Sequence, residues 1–372
     1  MVLAAKNYMK IDLIAGARPN FIKIAPIIDA IKVAQIKGEN IEYRLFHTGQ
    51  HYDKNMSGSF FKQLGIPLPD VNLEAGGGTQ AEQTAKIMMG YESLLQKDST
   101  DLCLVVGDVT STMACSIVAK KMNIKVIHVE GGIRSWDLSM PEEINRMVTD
   151  SITDYFFTTS KTANKNLLKN GVNKENIFFV GNTMIDTLLK HRQNFIKPPI
   201  WDKVDLSENN YIVMTLHRPA NVDGGNILKE LIDEIMVHSN GIPIIFPVHP
   251  RTAKQLESLG ISYPNLYTVE PMGYLEFNYL VERAKAVVTD SGGITEETTV
   301  MNIPCMTLRD NTERPETVDI GTNELLGVNP KSIGPAMKNL FSGTWKKGQI
   351  PYLWDGKTAE RIVQHLLSLK IN

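Results

Sequence analysis

Ala286-Val287-Val288-Thr289-Asp290-Ser291-Gly292-Gly293-Ile294-Thr295-Glu296-Glu297 is the stretch on which the fold of this chain turns. Its opening residues are apolar and β-branched, the composition of a parallel strand buried on both faces. The polar residues after them can start a helix, with Ser291 as its cap and Gly292 and Gly293 letting the backbone approach a ligand closely. The first amides of a helix have no internal partner and lie at the positive end of its dipole. A strand followed by Ser-Gly-Gly and a helix start is therefore an anion cradle, and a phosphate or pyrophosphate is the expected anion. Glu297 falls about one turn further in, where a carboxylate can hold sugar hydroxyls.

The same rhythm runs outward in both directions. Short apolar runs at 11–15, 43–48, 102–106, 126–129, 155–158 and 177–180 in the first half, and at 212–216, 243–247, 266–269, 286–289 and 305–308 in the second, alternate with helix-length segments. That alternation predicts right-handed βαβ units and parallel sheets, an α/β class of two doubly wound Rossmann-like domains facing a cleft. The expected division is 1–183 plus 358–372 for the first domain, which carries the acids, and 184–357 for the second. The Pro-rich, charged segment 195–210 breaks the rhythm and reads as part of the crossing between them. An amphipathic helix at 358–369 ends the chain and can close the second domain or return to the first.

Composition narrows the function. At 372 residues, 42% hydrophobic and 22% charged, the chain is an ordinary globular one with room for two cores. A net charge of -2 gives no general affinity for nucleic acid or a membrane surface, and no apolar run has the length of a span. Neither a nucleic-acid partner nor membrane insertion is expected. Cys103, Cys115 and Cys305 are odd in number, far apart and set among apolar residues, which suits a reducing cytoplasm and argues against a disulfide framework or a cysteine zinc site.

In doubly wound sheets ligands bind beyond the carboxyl ends of strands, and the chemistry-bearing residues of this chain cluster there. Gly16-Ala17-Arg18-Pro19-Asn20-Phe21-Ile22-Lys23 has one glycine, so it lacks the three-glycine dinucleotide fingerprint, and no NAD or FAD is expected. Arg18 and Lys23, near a helix start, suit a diphosphate. His47 and His51 straddle a glycine loop rather than one helical face, which argues for a local loop network over a metal site. Gly76-Gly77-Gly78 leads into a helix at 81–95 as a lid or a plain turn. Asp108 and Glu130 each stand at a strand end beside glycine, where a carboxylate is costly to desolvate unless paired or used. Met140-Pro141-Glu142-Glu143 starts a helix that adds one of two glutamates, with Arg134 and Arg146 as the expected partners of these acids. In the second half His217, at a strand end, can move protons or bind phosphate, and His249-Pro250-Arg251 is a weaker copy of that arrangement. Phe277 offers a ring to a flat base, and Glu313 and Arg314 follow the last long run.

Together these motifs resemble the non-hydrolysing UDP-N-acetylglucosamine 2-epimerases. The resemblance rests on Gly-Ala-Arg-Pro-Asn-Phe-Ile-Lys (16–23), Gly-Gln-His-Tyr (49–52), Gly-Asp-Val-Thr-Ser-Thr (107–112), His-Val-Glu-Gly-Gly-Ile-Arg (128–134), Pro-Glu-Glu-Ile-Asn-Arg (141–146), Gly-Asn-Thr-Met-Ile-Asp (181–186), Thr-Asp-Ser-Gly-Gly-Ile-Thr-Glu-Glu (289–297) and Arg-Asp-Asn-Thr-Glu-Arg-Pro-Glu (309–316). It implies a glycosyltransferase-B-type fold, a homodimer, and reversible conversion of UDP-GlcNAc and UDP-ManNAc with no cofactor and no metal, through loss and re-addition of UDP around a glycal. Cell-surface polysaccharide precursors are the natural destination. It further implies Asp108, Glu130, Glu142 and His217 as the catalytic cluster. Arg18 and Lys23 would hold substrate, Ser291, Gly292 and Gly293 the diphosphate, and Glu297 the ribose. Phe277 would contact uracil, and Arg314 would complete the nucleotide site. The chain departs from the common bacterial pattern at Ala17, Asn20, Pro219 and Ala220. Its Gly76–Gly78 loop lacks the basic residue, and Asp53 replaces the longer polar one, that some members use to bind a second UDP-GlcNAc, so activation of that kind is not expected. The first-half motifs lean towards relatives acting on UDP-2,3-diacetamido-glucuronic acid, whereas Thr312-Glu313-Arg314-Pro315 leans back to UDP-GlcNAc. A glycosyltransferase of the same fold, or a hydrolysing relative, is the competing class.

Overall fold

The computed structural model describes residues 8–49, 61–223, 226–248 and 250–369. The chain forms two compact units, residues 1–190 with 352–372 and residues 191–351. Each is a twisted sheet of parallel strands with helices between them.

In the first unit the strands are β1 (Met9–Ala15), β2 (Ile41–His47), β3 (Val71–Asn72), β4 (Leu102–Val106), β5 (Lys125–Val129), β6 (Tyr155–Thr158) and β7 (Ile177–Phe179). Their spatial order is β3-β2-β1-β4-β5-β6-β7. The central β4 is buried along its whole length, as an apolar strand covered on both faces must be. The order reverses between β1 and β4, and at that switch point the connections leave to opposite sides and open a crevice. The helix Arg18–Ile36 after β1 begins with Pro19 in its first turn, where no amide partner is lost. Beyond the Gly76–Gly78 loop, Thr79 caps the helix Gln80–Lys97 in a box with Glu82, accepting from the Glu82 amide at 3.2 Å while its own amide donates to Glu82 Oε2 at 2.7 Å.

The end of the chain packs on this first unit. The helix Thr358–Ser368 lies against Arg18–Ile36. Trp354 is buried, and its Nε1 donates to the Thr159 carbonyl at 3.1 Å. Asp186 accepts the Thr358 and Ala359 amides at 3.1 and 2.7 Å, closing the helix N-terminus from another part of the chain. Gly181 is obligatory here: its φ is +107°, and a Cβ would stand 2.2 Å from the Leu353 carbonyl oxygen.

The second unit has β8 (Ile212–Thr215), β9 (Ile244–Pro247), β10 (Leu266–Val269), β11 (Ala286–Thr289), β12 (Cys305–Thr307) and β13 (Asn323–Leu325), in the order β10-β9-β8-β11-β12-β13. Its switch point is β8/β11, the counterpart of β1/β4. Ile212, Met214, Val288, Met306 and Leu308 meet Leu231, Ile235 and Met337 in one apolar core.

The Pro-rich segment 195–210, expected as part of a crossing, is packed into this unit. It holds the short helix Pro199–Lys203, whose Trp201 stands edge-on to Tyr211 and Tyr279 at 5.7 and 5.3 Å. Proline punctuates its helices, but the tryptophan anchors it. The edge strands β3 and β13 have no apolar run of their own and follow from pairing with a neighbour. All three cysteines are buried, and burial pushes the Cys103 and Cys305 thiols up to about 12, which leaves them inert at neutral pH.

Candidate active site

At the switch point of the first sheet, Asn20 organises the loop after β1. Its Oδ1 accepts the Gly16 and Ala17 amides at 3.2 and 2.9 Å, and its Nδ2 donates to the Val106 carbonyl at the end of β4 at 2.9 Å. The amide side chain satisfies both donors and acceptor, which a glutamate here could not do. Arg18 leads this helix, and burial pulls its guanidinium below the usual range. Lys23, one turn on, is buried and donates from Nζ to Glu130 Oε2 at 2.7 Å. The sequence reading set Lys23 against a diphosphate; its immediate partner is this acid.

Glu130 itself is unusual. It is buried, at the end of β5, and its φ is +71°, a left-handed conformation costly for a residue with a side chain. It is held there by its amide, which donates to the Phe157 carbonyl at 2.8 Å, and by the Lys23 pair. Gly107, next to Asp108, lies against the same pair: a Cβ there would stand 3.5 Å from Lys23 Nζ and 3.8 Å from Glu130 Oε2. Asp108 follows directly, with its carboxylate partly exposed and gripped through Oδ2 by Arg146 Nε and NH2 at 3.0 and 2.6 Å.

The two glutamates at the start of the helix Pro141–Ile152 separate cleanly. Glu143 is fully buried and accepts from the Ser135 amide and hydroxyl, the Trp136 amide and Arg146 NH1. Glu142 is only partly buried, and its carboxylate bonds to no other described residue. Of the two expected arginine partners, Arg146 joins Asp108 to Glu143, but Arg134 does not reach the proposed acids. Arg134 pairs instead with Asp150 at 2.6 Å. Asp150 also takes His128 Nδ1 at 2.7 Å and the Gly132 amide at 3.0 Å, while His128 Nε2 meets the Gly107 carbonyl at 2.8 Å. This buried network fixes the backbone on which Asp108 and Glu130 stand. Burial pushes the Asp150 carboxyl up, but His128 and Arg134 outweigh it and hold it below the usual carboxylate range.

In the second unit the quoted stretch forms β11 and the helix Gly292–Met301. Ser291 occupies the cap position in extended backbone, yet its hydroxyl makes no capping bond, contrary to the sequence expectation. Its amide is drawn back to Thr289 Oγ1 at 3.0 Å. Gly292 has a firm reason to be glycine: a Cβ would sit 2.6 Å from Glu313 Oε1, and Glu313 is itself paired with Arg309 at 2.7 Å. Glu297 is buried and accepts from the Tyr274 hydroxyl at 2.7 Å. Burial pushes its carboxyl to about 7, opposed by that hydrogen bond and aided by Glu296. Arg314 is buried against Glu296. Phe277, half-buried, shares the helix Tyr274–Arg283 with Tyr274.

His217 ends the loop from β8 with its side chain 63% exposed and its Nδ1 2.7 Å from Asp290 Oδ1. Asp290 is given no role by the sequence; its place immediately before Ser291 is the available signal. Tyr274 and Glu296 went unassigned too, since nothing in composition shows which polar residues a strand end will bury. His47 lies in a loop network, accepting the Gly49 amide through Nδ1 at 2.8 Å. His51, Asp53 and His249 lie outside the described residues. A groove of about 730 Å³ between the helices Arg18–Ile36 and Thr358–Ser368 contains none of the proposed site residues.

A sequence model of the UDP-N-acetylglucosamine 2-epimerase family matches residues 34–367. The chain is 40% identical over 371 residues to a UDP-N-acetylglucosamine 2-epimerase of Methanocaldococcus jannaschii, covering 96% of this chain and 99% of that protein. It is 36% identical to a UDP-2,3-diacetamido-2,3-dideoxy-D-glucuronate 2-epimerase of Pseudomonas aeruginosa, covering 97% of this chain and all of that one (100%). Its structure is similar to a crystal structure of the Methanocaldococcus jannaschii enzyme in complex with UDP-GlcNAc and UDP, with a TM-score of 0.86 at 39% identity over 97% of this chain and 100% of the other. The two parallel sheets with alternating helices are the glycosyltransferase-B-type architecture of that structure, and the chain belongs to the UDP-N-acetylglucosamine 2-epimerase family.

Proposed function

We propose that the protein interconverts UDP-GlcNAc and UDP-ManNAc by inverting C2. The observation that carries this reading is the acid and cation constellation at the β1/β4 switch point, where Asp108 is held by Arg146, and Glu130 by Lys23 in a left-handed conformation. Hydrogen at C2 is not acidic in the ground state. Breaking the C1–O bond to UDP builds positive charge at C1 and acidifies it. A carboxylate takes the proton, the C2–H electron pair becomes the C1–C2 double bond of a glycal, and UDP leaves with the C1–O pair. UDP then re-adds at C1 while a proton returns to C2 on the opposite face. Asp108, Glu130, Glu142 and His217 serve these transfers. Arg18, Lys23, Arg314 and the helix start at Ser291, Gly292 and Gly293 stabilise the departing diphosphate. Glu297 takes the ribose hydroxyls, and Phe277 contacts the uracil. The reaction needs no redox cofactor, and the protein works in the cytoplasm as a homodimer that supplies polysaccharide precursors.

A second substrate, UDP-2,3-diacetamido-2,3-dideoxy-glucuronic acid, is supported by the similarity to the Pseudomonas aeruginosa enzyme. Proton NMR in D2O with UDP-GlcNAc and no added cofactor tests the first reading: deuterium enters C2 as UDP-ManNAc grows. Exchange with the diacetamido-uronic acid substrate alone moves the assignment to the second. Exchange with neither overturns both.

A further inference from the structure

The His217–Asp290 pair has a directional chemistry that the assignment of His217 alone does not capture. Asp290 stands at the end of β11, beside β8, and is fully buried. The turn after β8 wraps around its carboxylate. The His217 amide reaches both oxygens, at 3.2 and 3.0 Å, the Arg218 amide donates to Oδ2 at 2.9 Å, and Asn221 Nδ2 donates to Oδ2 at 3.1 Å. Asn221 is itself tied to the Leu308 carbonyl at 3.1 Å, so the wrapping is anchored across β11 to the end of β12. The Arg218 guanidinium donates from Nε to the Asp290 carbonyl at 3.0 Å. Every one of these groups donates. They favour the ionised carboxylate, and although burial pushes its pKa up, His217, the Arg218 amide and Asn221 hold it below the usual range.

An ionised carboxylate can only accept hydrogen bonds. The 2.7 Å contact with His217 Nδ1 therefore requires the proton on Nδ1, and in the neutral ring the lone pair must lie on Nε2. With most of the side chain exposed, Nε2 is the outward nitrogen.

We propose that Asp290 is a positioning residue that locks His217 in the Nδ1–H tautomer, presents Nε2 to the substrate, and balances the imidazolium when Nε2 takes a proton. This rests on the epimerase reading for the identity of the substrate, though not for the tautomer. The proton moves between Nε2 and the substrate or its leaving group; Asp290 remains unprotonated throughout.

The test is long-range proton–nitrogen NMR on the full-length protein with ¹⁵N-labelled histidine, above the titration range of imidazole, with His217→Gln used to identify the His217 signals. The wild type is expected to show a protonated Nδ1 and an unprotonated Nε2. Asp290→Asn, which places an amide N–H among donors, is expected to populate the Nε2–H tautomer and to lower kcat on the order of 10²-fold or more, with KM for UDP-GlcNAc changed less than about threefold. A wild-type ring carrying its proton on Nε2 overturns the proposal, and this result needs no variant to fold. So does a folded Asp290→Asn protein that keeps both the wild-type tautomer and kcat. An error in the substrate shows itself differently: wild type and variant are then both inactive on UDP-GlcNAc, while the tautomer still reports on the pair.

Discussion

Glu142 and Glu143 are neighbours of one type, and their surroundings give them opposite work. Glu143 closes a buried hub with Arg146, Ser135 and the Trp136 amide, so its loss takes the buried acceptor from Arg146 NH1 and from the Ser135 and Trp136 amides, while Asp108 keeps Arg146 Nε and NH2. Glu143→Ala is expected to cost about 3–5 kcal/mol in urea unfolding, the scale for breaking a buried pair from one side. Glu142→Gln, on the open side of the same helix turn, is expected to leave stability within about 0.5 kcal/mol. Its turnover should fall on the order of 10²-fold, the contribution of a positioned proton-transfer group. A stable, inactive Glu143→Ala beside an active Glu142→Gln would exchange the two roles. Asn20 teaches the same lesson from the other side: a departure from the common pattern is absorbed because its amide ties Gly16, Ala17 and Val106 together.

The elements proposed to carry function are two strand-to-helix junctions at equivalent switch points, β1/β4 and β8/β11. At the second junction the helix Gly292–Met301 starts against the Glu313–Arg309 pair. A methyl group at position 292 collides with a carboxylate that Arg309 pins in place, so relief means shifting the helix start or breaking the pair. Gly292→Ala is expected to weaken UDP binding about tenfold or more in calorimetry, because the proposed diphosphate site is made of these helix amides. An unchanged dissociation constant would remove the diphosphate from this helix start. At the first junction Gly107 is held to glycine by its φ of +69° rather than by a collision, since a Cβ there would meet Lys23 and Glu130 at ordinary contact distance.

For the fold as a whole, burial of acids sets the response to pH. Glu297 and Glu316 are pushed from 4.5 to about 7 and Asp186 from 3.8 to about 6, in each case chiefly by burial. Between roughly pH 4.5 and 7 the folded chain binds more protons at these sites than the unfolded one. Stability contributed by their neutral forms is therefore present at the acid end of that window and is lost as pH rises through it. At about 1.4 kcal/mol per unit, Glu316 alone accounts for about 3 kcal/mol. Urea midpoints are expected to fall from pH 5 to 7.5, less steeply in Glu316→Gln, because the Glu316 carboxyl oxygens are buried with no hydrogen-bond partner among the described residues. A midpoint that rises with pH across the window, or the same slope in the variant, contradicts this account. Asp150 and Asp290 have lowered values, and their contribution is lost only as pH falls into the carboxylate range.

Alternating apolar runs and helix-length segments were enough to read two parallel α/β sheets, because a strand buried on both faces and a 3.6-residue period leave their marks in local composition. The strand-end positions of Asp108, Glu130, His217 and Ser291 were legible for a related reason, since glycine and polar residues at a strand's end break an otherwise apolar pattern. The sequence also carried the family motifs from Ile11 to the last helix. What it did not contain was pairing. That Lys23 binds Glu130, that Arg134 pairs with Asp150 while Arg146 pairs with Asp108, and that His217 meets Asp290 are contacts between residues 16 to 107 positions apart. Such contacts depend on which strands become neighbours, and the reversal of strand order at β1/β4 and β8/β11 is a property of chain topology that no local window records. Burial follows the same rule: Glu142 and Glu143 are indistinguishable by composition, and only the packing of their helix turn removes one from water and leaves the other partly exposed.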